Sequence, residues 1–208
     1  MVPAPSGATS LRQWFRLLES VASATLIRMQ NTLILEGGRL LDPAAGTDVC
    51  GDVILADGQV VSALPRNRPE TRIDLAGAWV LSGLLDLHAH FREPGGEASE
   101  TLETGARAAA RGGFTRVVTM PNTSPPMDDP ERLARQIAAS ATLPVDLLPA
   151  VCCTRGRAGR EPADLRALHA CGARAFTDDG SMVADDTVME QVMRLAVALD
   201  GVVMDHAV

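Results

Sequence analysis

Residues 31–80 carry short apolar runs that are separated by Gly, Pro and Asp rather than arranged with helical periodicity. The first two runs are Thr32–Leu35 and Arg39–Leu41, and a turn is predicted between them at Gly37-Gly38. Runs of this length bounded by turn residues are typical of hairpins in a small sheet. Further runs follow at 52–55, 59–61, 72–75 and 79–81. We therefore expect residues 29–80 to form a β-rich lobe without helices.

The pattern changes after Pro94, where apolar runs alternate with stretches of helical periodicity. Strands are predicted within 81–90 and at 116–120, 145–151, 173–176 and 201–204, and helices at 97–112, 129–141, 162–172 and 187–199. Asp129 before Pro130 predicts a helix start, and Thr187 with Glu190 predicts a capping box. This alternation predicts an α/β fold of parallel βα units, of the kind found in (β/α) barrels. A complete barrel takes about 250 residues, so 208 residues are short for one.

The stretch 81–94 is the one around which the chemistry of the chain is organised. In a strand successive side chains alternate between the two faces, so Asp86, His88 and His90 share one face. The backbones of the two histidines then lie about 6.6 Å apart, a span that two imidazoles can close onto one zinc ion at about 2.0 to 2.1 Å. A lone histidine on a strand is more often an ordinary core or surface residue. Two histidines on consecutive positions of one face favour a metal.

Parallel βα folds place their chemistry at the carboxyl ends of the strands. The residues found there are His88, His90 and Arg92, then Asn122, then Cys152 and Cys153, then Asp178 and Asp179, and finally Asp205 and His206. The first, fourth and fifth strand ends thus offer His, carboxylate and His, which are ligands of hydrolytic zinc sites. Zinc lowers the pKa of a water to about 7 and polarises a carbonyl, which indicates metal-assisted hydrolysis of an amide. One of the paired carboxylates could bind metal while the other orients a neighbour or caps the turn at Gly180, and spacing does not choose.

Two further donors are expected beside this site. The planar guanidinium of Arg92 suits a substrate carboxylate, and Asn122 follows the next strand end. The alternative for Arg92 is an ion pair with Glu93. Arg155, Arg157 and Arg160 form a basic loop that could steer an anionic substrate, but we interpret it as solvated. His169, inside a predicted helix, is given no role.

The amino-acid composition excludes some classes of binding partner and of cellular location. A net charge of −7 and 3% aromatic residues argue against nucleic acid and anionic membrane surfaces as partners. The sequence contains no apolar run of the length that spans a bilayer. None of the four cysteines forms a Cys-x-x-Cys pair, so we expect buried thiols in a reducing cytoplasm. Residues 1–28 lack the features of a secretory signal, and we expect a disordered extension before a folded protein that begins at Met29.

Five motifs occur in order: GLLDLHAHFREPG at 83–95, GGFT at 112–115, MPNTSPP at 120–126, AFTDDG at 175–180 and MDH at 204–206. Through them the chain resembles the amidohydrolase superfamily and, within it, the dihydroorotases of the long, first bacterial type. The resemblance covers the chain from about Asn31 onward. It implies a partial TIM-type (β/α) barrel, about five of eight strands, that occupies 81–208 after the small β-rich lobe.

The resemblance also implies a centre of one or two zinc ions with a substrate site beside it. The implied metal ligands are His88, His90, Asp179 and, for a second metal position, His206, with Asp179 also the catalytic carboxylate. The implied substrate-binding residues are Arg92 and Asn122, with His90 beside them. The implied reaction is the reversible cyclisation of N-carbamoyl-L-aspartate to L-dihydroorotate in pyrimidine (UMP) biosynthesis.

Two alternatives come with this resemblance. Related cyclic amidases such as dihydropyrimidinase and allantoinase bridge two metals with a carboxylated lysine on the fourth strand, but every basic residue here is Arg. The other alternative is a non-catalytic partner of aspartate carbamoyltransferase. Such partners typically lose the metal histidines, whereas this chain keeps both. The number of subunits is left open, with a homodimer among the options.

One departure from the family concerns length. The family's barrel has a further His ligand after its sixth strand and a general acid and base, an Asp, after its eighth. This chain is expected to reach only the fifth strand. We therefore expect the 208-residue chain by itself to bind zinc poorly and to turn over little or no dihydroorotate.

Overall fold

The structure, a computed structural model, describes residues 32–206, which divide after Ser82 into two units. The expected extension at 1–28 and the expected start at Met29 lie outside the described residues. Within the described residues, no helix has both the length and the apolar character that crossing a membrane requires.

The first unit is a single five-stranded sheet. Its strands are β1 (Thr32–Asp42), β2 (Thr47–Ala56), β3 (Gln59–Val61), β4 (Glu70–Asp74) and β5 (Trp79–Val80). The order is β3-β2-β1-β4, and β5 also pairs with β1. Neighbours joined by short turns are antiparallel, whereas β4 and β5 run parallel to β1. Between residues 32 and 80 the structure contains strands and no helix, as predicted, while the extent of this lobe as a domain (29–80) stays a prediction.

Strand β1 is continuous where a turn at Gly37-Gly38 was expected, so that prediction was wrong. The pairing of β1 with β2 shifts register between Leu35 and Gly38. Gly37 lies in the left-handed region with φ of 65°, and its N–H donates to Asp52 Oδ1 at 2.9 Å. A β-bulge absorbs the extra residue in this way without ending the strand.

The second unit alternates strands with helices. Its elements in order are β6 (Leu84–Ala89), α1 (Leu102–Arg111), β7 (Phe114–Thr119), α2 (Pro130–Ser140), β8 (Asp146–Pro149), a 3₁₀ turn (Arg155–Arg157), α3 (Leu165–Ala170), β9 (Ala175–Phe176), α4 (Asp186–Ala198) and β10 (Val202–Val203). The predicted alternation of strand and helix is confirmed, with shorter strands than expected at β8, β9 and β10.

These strands pair in chain order. Parallel pairing joins β6 to β7 and β7 to β8, and β9 pairs in parallel with β10. A parallel bridge between Val151 and Phe176 connects the chain just after β8 with β9. The residues that follow successive strands are therefore neighbours, which is the arrangement that assembles a site from distant sequence positions.

Helix α2 begins as predicted, and the other three helices do not. Asp129 accepts a hydrogen bond from the N–H of Arg132 at 2.9 Å, with Pro130 in the first turn. Helix α1 begins at Leu102 rather than Glu97, because Thr101 is the residue whose hydroxyl accepts from the N–H of Thr104. A helix starts where a side-chain oxygen satisfies its free N–H groups, and the residues before Thr101 form turns instead.

The starts of α3 and α4 move for the same reason. Asp164, not Pro162, lies at the start of α3 and accepts from the N–H of Ala167 at 3.0 Å. Asp185 caps α4 by accepting from the N–H groups of Thr187 and Val188. The predicted capping box on Thr187 was therefore wrong, because Asp185 occupies the capping position two residues earlier.

The main core of the second unit contains Leu133, Leu168, Phe176 and Val192, all fully buried among the helices and strands. The leucines of strand β6 are less buried than the residues of this core. Leu85 and Leu87 are 49% and 59% exposed, and among the described residues β6 hydrogen-bonds to no strand but β7. Within the described residues β6 therefore presents apolar side chains to solvent.

Candidate metal centre

The end of β6 and the loop after β9 bring two imidazoles and a carboxylate together. His88 Nε2 lies 3.2 Å from Asp179 Oδ1, and His90 Nε2 lies 3.6 Å from Asp179 Oδ2. One ligand atom from each of the three residues lies within 4.8 Å of the other two. The imidazole rings are 5.2 Å apart at an angle of 69°. The structure thus joins three of the four residues that the sequence analysis assigned to a metal.

The three groups differ in exposure. The side chain of Asp179 is 4% exposed, whereas those of His88 and His90 are 48% and 29% exposed. A carboxylate buried to this degree needs charged or hydrogen-bonding partners to offset its lost hydration. The two imidazoles are more exposed than the carboxylate, and the three groups lie close enough together to bind one cation.

Asn122, which follows β7, bridges two members of this group. Its Nδ2 donates to Asp179 Oδ2 at 2.8 Å, and its Oδ1 lies 2.9 Å from His90 Nδ1. An amide oxygen can only accept, so Nδ1 of His90 carries the proton in this contact. Nε2 of the neutral ring is then left with the lone pair that a metal requires. The sequence analysis singled out Asn122 for substrate binding and did not foresee this orienting contact.

The adjacent carboxylates of Asp178 and Asp179 are both buried, but they have different partners. Asp178 accepts from the backbone N–H of Thr154 at 3.0 Å and from its hydroxyl. Thr154 Oγ1 in turn accepts from the N–H of Gly159 at 2.9 Å. Asp178 therefore fixes the loop after β8, and Asp179 is the carboxylate that faces the imidazoles.

Arg92 is exposed in a tight loop after β6. Its φ of 41° lies in the left-handed region, which is uncommon for a residue with a Cβ. Among residues 32–206 its guanidinium makes no hydrogen bond or ion pair, so the alternative of a pair with Glu93 is not formed. Glu93 instead accepts from the N–H of Leu102 at 2.8 Å, at the start of α1. The guanidinium is thus available to a ligand.

His206 follows β10 and is exposed. It does not belong to the group formed by the other three residues, whose ligand atoms lie within 4.8 Å of each other. Its assignment to a second metal position stays a prediction.

The cysteines divide into two classes. Cys152 and Cys153 are buried, and burial together with the nearby charge of Asp178 raises the pKa of Cys153 to about 12 and that of Cys152 further. Such thiols are not nucleophiles at neutral pH. Cys50 and Cys171 are exposed, so the expectation of four buried thiols was wrong for these two. Cys50 lies on an exposed part of β2 and Cys171 at the end of α3.

The basic loop at 155–160 is solvated only in part. Arg155 is exposed and pairs with Glu161 at 3.4 Å, as expected of a surface residue. Arg157 instead donates to the backbone carbonyl of Asp178 at 3.1 Å and to that of Asp179. The interpretation of the whole loop as solvated was therefore wrong at Arg157. No local sequence signal distinguishes it from its neighbours, because the contact depends on how two loops meet.

The chain is similar in sequence to known proteins. A family model described as dihydro-orotase-like matches residues 77–208. The dihydroorotase of Shouchella clausii is 42% identical over 171 residues, which cover 82% of this chain and 40% of that protein. The dihydroorotase of Bacillus caldolyticus is 46% identical over 68% of this chain and 34% of its own length. The chain thus spans about two fifths or less of the length of these curated relatives.

Solved structures resemble the chain in fold. L-hydantoinase, a dihydropyrimidinase from Arthrobacter aurescens, superimposes with a TM-score of 0.69 over 84% of this chain and 40% of its own, at 22% identity. At that identity the match concerns the fold alone. The family model covers more than half of the chain, and the curated relatives exceed 30% identity over two thirds of it or more. The chain therefore belongs to the dihydro-orotase-like family.

Proposed function

We propose that this chain is part of a zinc-dependent cyclic-amide hydrolase, a dihydroorotase that interconverts N-carbamoyl-L-aspartate and L-dihydroorotate in UMP biosynthesis. The observation that carries the proposal is the convergence of His88, His90 and Asp179 in a member of this family. A cytoplasmic location belongs to the same proposal and is supported by four free cysteines.

The donor set fits zinc. Two imidazole nitrogens and one carboxylate oxygen are a common ligand set of catalytic zinc, which keeps one coordination position open. Asn122 holds His90 and Asp179 in the orientation that this binding needs, as the second layer of a metal site usually does. When bound, zinc supplies polarisation of an amide carbonyl and a lowered pKa for water. His206 is the proposed ligand of a second zinc ion.

The protein's own residues provide recognition of the substrate. Arg92, whose guanidinium makes no hydrogen bond or ion pair within residues 32–206, is the proposed bidentate donor to the substrate carboxylate. Asn122 is proposed to assist it. A side-chain amide has two N–H groups, and one of them is used by Asp179, so the second remains for a ligand. His90 lies beside them as the third proposed substrate contact.

Asp179 is the proposed catalytic carboxylate, acting as the negative ligand of the metal. Its burial strengthens every electrostatic interaction that it makes, because water does not screen it. The proposal also assigns β6 to β10 to the first five strands of an eight-stranded barrel. Their parallel pairing in chain order supports this assignment.

Metal binding is the first test. The purified chain is stripped with chelator, loaded with zinc, and its zinc content and affinity are measured by elemental analysis and chelator competition. We expect His88→Ala, His90→Ala and Asp179→Asn each to lower zinc affinity strongly, while His169→Ala, in α3, leaves it unchanged. Equal affinity in the wild type and all three variants would overturn the zinc site.

Substrate selectivity is the second test. L-dihydroorotate should perturb the absorption spectrum of the cobalt-loaded chain, while dihydrouracil, the same ring without the carboxylate, should not. Arg92→Met should remove the difference between the two rings. This measurement does not depend on turnover, which we expect to be low for this chain. An identical response to both rings would argue for another cyclic amidase.

The two alternatives remain distinguishable. A dihydropyrimidinase-like or allantoinase-like enzyme with a carboxylated lysine has no support here, because the 208 residues contain no Lys. A non-catalytic partner of aspartate carbamoyltransferase would co-purify with the transferase and bind no zinc. Homodimer formation stays a prediction, to be checked by light scattering.

A further inference from the structure

A guanidinium from the loop after β8 reaches into the loop after β9. We propose that Arg157 is a positioning residue for Asp179: it fixes the main chain on both sides of the carboxylate and thereby the direction in which that carboxylate points. This inference rests on the metal site proposed above, because positioning matters only if Asp179 binds a ligand.

The contacts of Arg157 surround Asp179. Its Nε donates to the carbonyl of Asp178 at 3.1 Å, and its Nη2 donates to the carbonyl of Asp179. The same Nη2 lies 3.1 Å from Ser181 Oγ. One guanidinium therefore holds the residue before Asp179, Asp179 itself, and the second residue after it.

Other residues hold the backbone N–H and the carboxylate of Asp179, and Arg157 holds its backbone carbonyl. Its N–H donates to Thr177 Oγ1 at 3.1 Å, and its Oδ2 accepts from Asn122. Arg157 is the described partner of its carbonyl oxygen. The next residue, Gly180, has φ of 72°, a conformation that glycine enters and leaves readily. Without Arg157, the peptide between Asp179 and Gly180 could rotate and turn the carboxylate with it.

The loop that carries Arg157 is shaped for this contact. Arg157 has φ of 57°, uncommon for a residue with a Cβ, and it follows Gly156 with φ of 62°. The N–H of Gly156 donates to Asp128 Oδ2 at 2.6 Å, and the N–H of Arg157 donates to the carbonyl of Thr154 at 3.0 Å. Such a conformation persists where the surroundings fix it.

Charge favours arginine at this position. Asp178 and Asp179 are consecutive and both buried, so their carboxylates need nearby positive charge or donors. Arginine presents donors in a rigid planar fork, which can reach two carbonyls at once, whereas lysine presents one compact ammonium. Arg155, two residues earlier, is exposed and pairs with Glu161, so it provides a matched control.

The test compares Arg157→Met, Arg157→Lys and the control Arg155→Met in the full chain. Removing a group that orients a metal ligand typically weakens metal affinity by about 10-fold to 100-fold. We expect that loss for Arg157→Met, with an altered cobalt absorption spectrum, partial recovery in Arg157→Lys, and no change in Arg155→Met. Circular dichroism verifies the fold of each variant, and Arg157→Lys carries the test if Arg157→Met does not fold.

A second measurement does not need the metal. Hydrogen exchange of the backbone amides of Asp179 and Ser181 should become about tenfold faster in Arg157→Met, since the charge-assisted hydrogen bonds that hold the carbonyls of Asp178 and Asp179 are lost. Because the 208-residue chain by itself is expected to bind zinc weakly, binding is measured up to high zinc concentration. If none is detected, the proposed function fails, while faster exchange still supports the positioning role. Unchanged exchange in Arg157→Met overturns that role. The role is also overturned if Arg157→Met lowers the overall stability but the folded variant keeps the zinc affinity and the cobalt spectrum of the wild type.

Discussion

Asn122 and Asp179 are 57 positions apart in the chain, yet the side-chain amide of one donates to the carboxylate of the other at 2.8 Å. The contact spans the ends of β7 and β9, with the end of β8 between them in the strand order. Because the opposite end of the amide meets His90, one neutral side chain aligns an imidazole from β6 with a carboxylate that follows β9.

Asn122→Ala is therefore expected to weaken zinc affinity by about 10-fold to 100-fold, without touching a ligand directly. The physical reason is that His90 and Asp179 lose the group that fixes their orientation. Chelator competition measures the change. Asn67→Ala, at an exposed loop position of the first unit, is the control and should have no effect. Wild-type affinity in Asn122→Ala would mean that the bridge does not orient the ligands.

Thr154→Val is expected to destabilise the protein by about 1 to 3 kcal/mol. The substitution keeps the shape but removes the hydroxyl that donates to buried Asp178 and accepts from the N–H of Gly159. Urea unfolding monitored by circular dichroism gives the free energy. Thr154→Ser retains the hydroxyl and should lose much less, and equal losses in both variants would contradict the hydrogen-bonding explanation.

Asp185→Ala should lower the free energy of unfolding by about 0.5 to 2 kcal/mol, the usual cost of losing a helix cap. Asp185 accepts from two N–H groups at the start of α4. Thr187→Ala tests the alternative capping residue and should change little, because Thr187 lies inside the helix. A larger loss for Thr187→Ala would restore the capping box predicted from the sequence.

The four cysteines should differ in their rate of thiol labelling, with two reacting in the native protein and two only after unfolding. In the native protein at pH 8, a small disulfide reagent is expected to modify Cys50 and Cys171, which are exposed. Cys152 and Cys153 should react only after unfolding, because they are buried and their raised pKa values keep them protonated. Peptide mass mapping assigns the sites. Rapid labelling of Cys153 in the native protein would contradict its burial after β8.

Stability should fall at alkaline pH. Burial raises the pKa of Cys153 to about 12 from the 9.0 of a free thiol, so above pH 9 the unfolded chain loses a proton that the folded chain keeps. The favourable contribution is complete below pH 9 and is lost as pH rises toward 12, with a slope of up to about 1.4 kcal/mol per pH unit. Urea unfolding across this range measures the slope, which Cys153→Ala should reduce. An unchanged slope in that variant would exclude Cys153 as the cause.

The sequence allowed prediction of those features that depend on local pattern. Alternating apolar runs located the βα units, and the spacing of His88 and His90 indicated a shared target, because both follow from neighbouring positions in the chain. The start of α2 was predictable since Asp129 and Pro130 are adjacent signals. Where several capping residues compete, as Asp185 and Thr187 do, tertiary packing decides which one is used.

Other features depend on which loops meet in space. Asp178 and Asp179 are the same residue type, and their partners separate their roles. Thr154, from the previous strand end, donates to Asp178, whereas Asn122 donates to Asp179. Arg157 looks like Arg155 in sequence, but one contacts the main chain of the site and the other a surface glutamate. Interactions between residues far apart in the chain have no local pattern, so the structure was needed to find them.

The contact of His88 and His90, at the end of β6, with Asp179 has an energetic consequence for this strand. Among the described residues this strand is held by hydrogen bonds along one side, while Asp179 belongs to a buried segment. A cation bound to all three groups would join β6 to the loop after β9. Ordering of that strand and occupancy of the site are then a single linked equilibrium, so that whatever steadies one raises the other.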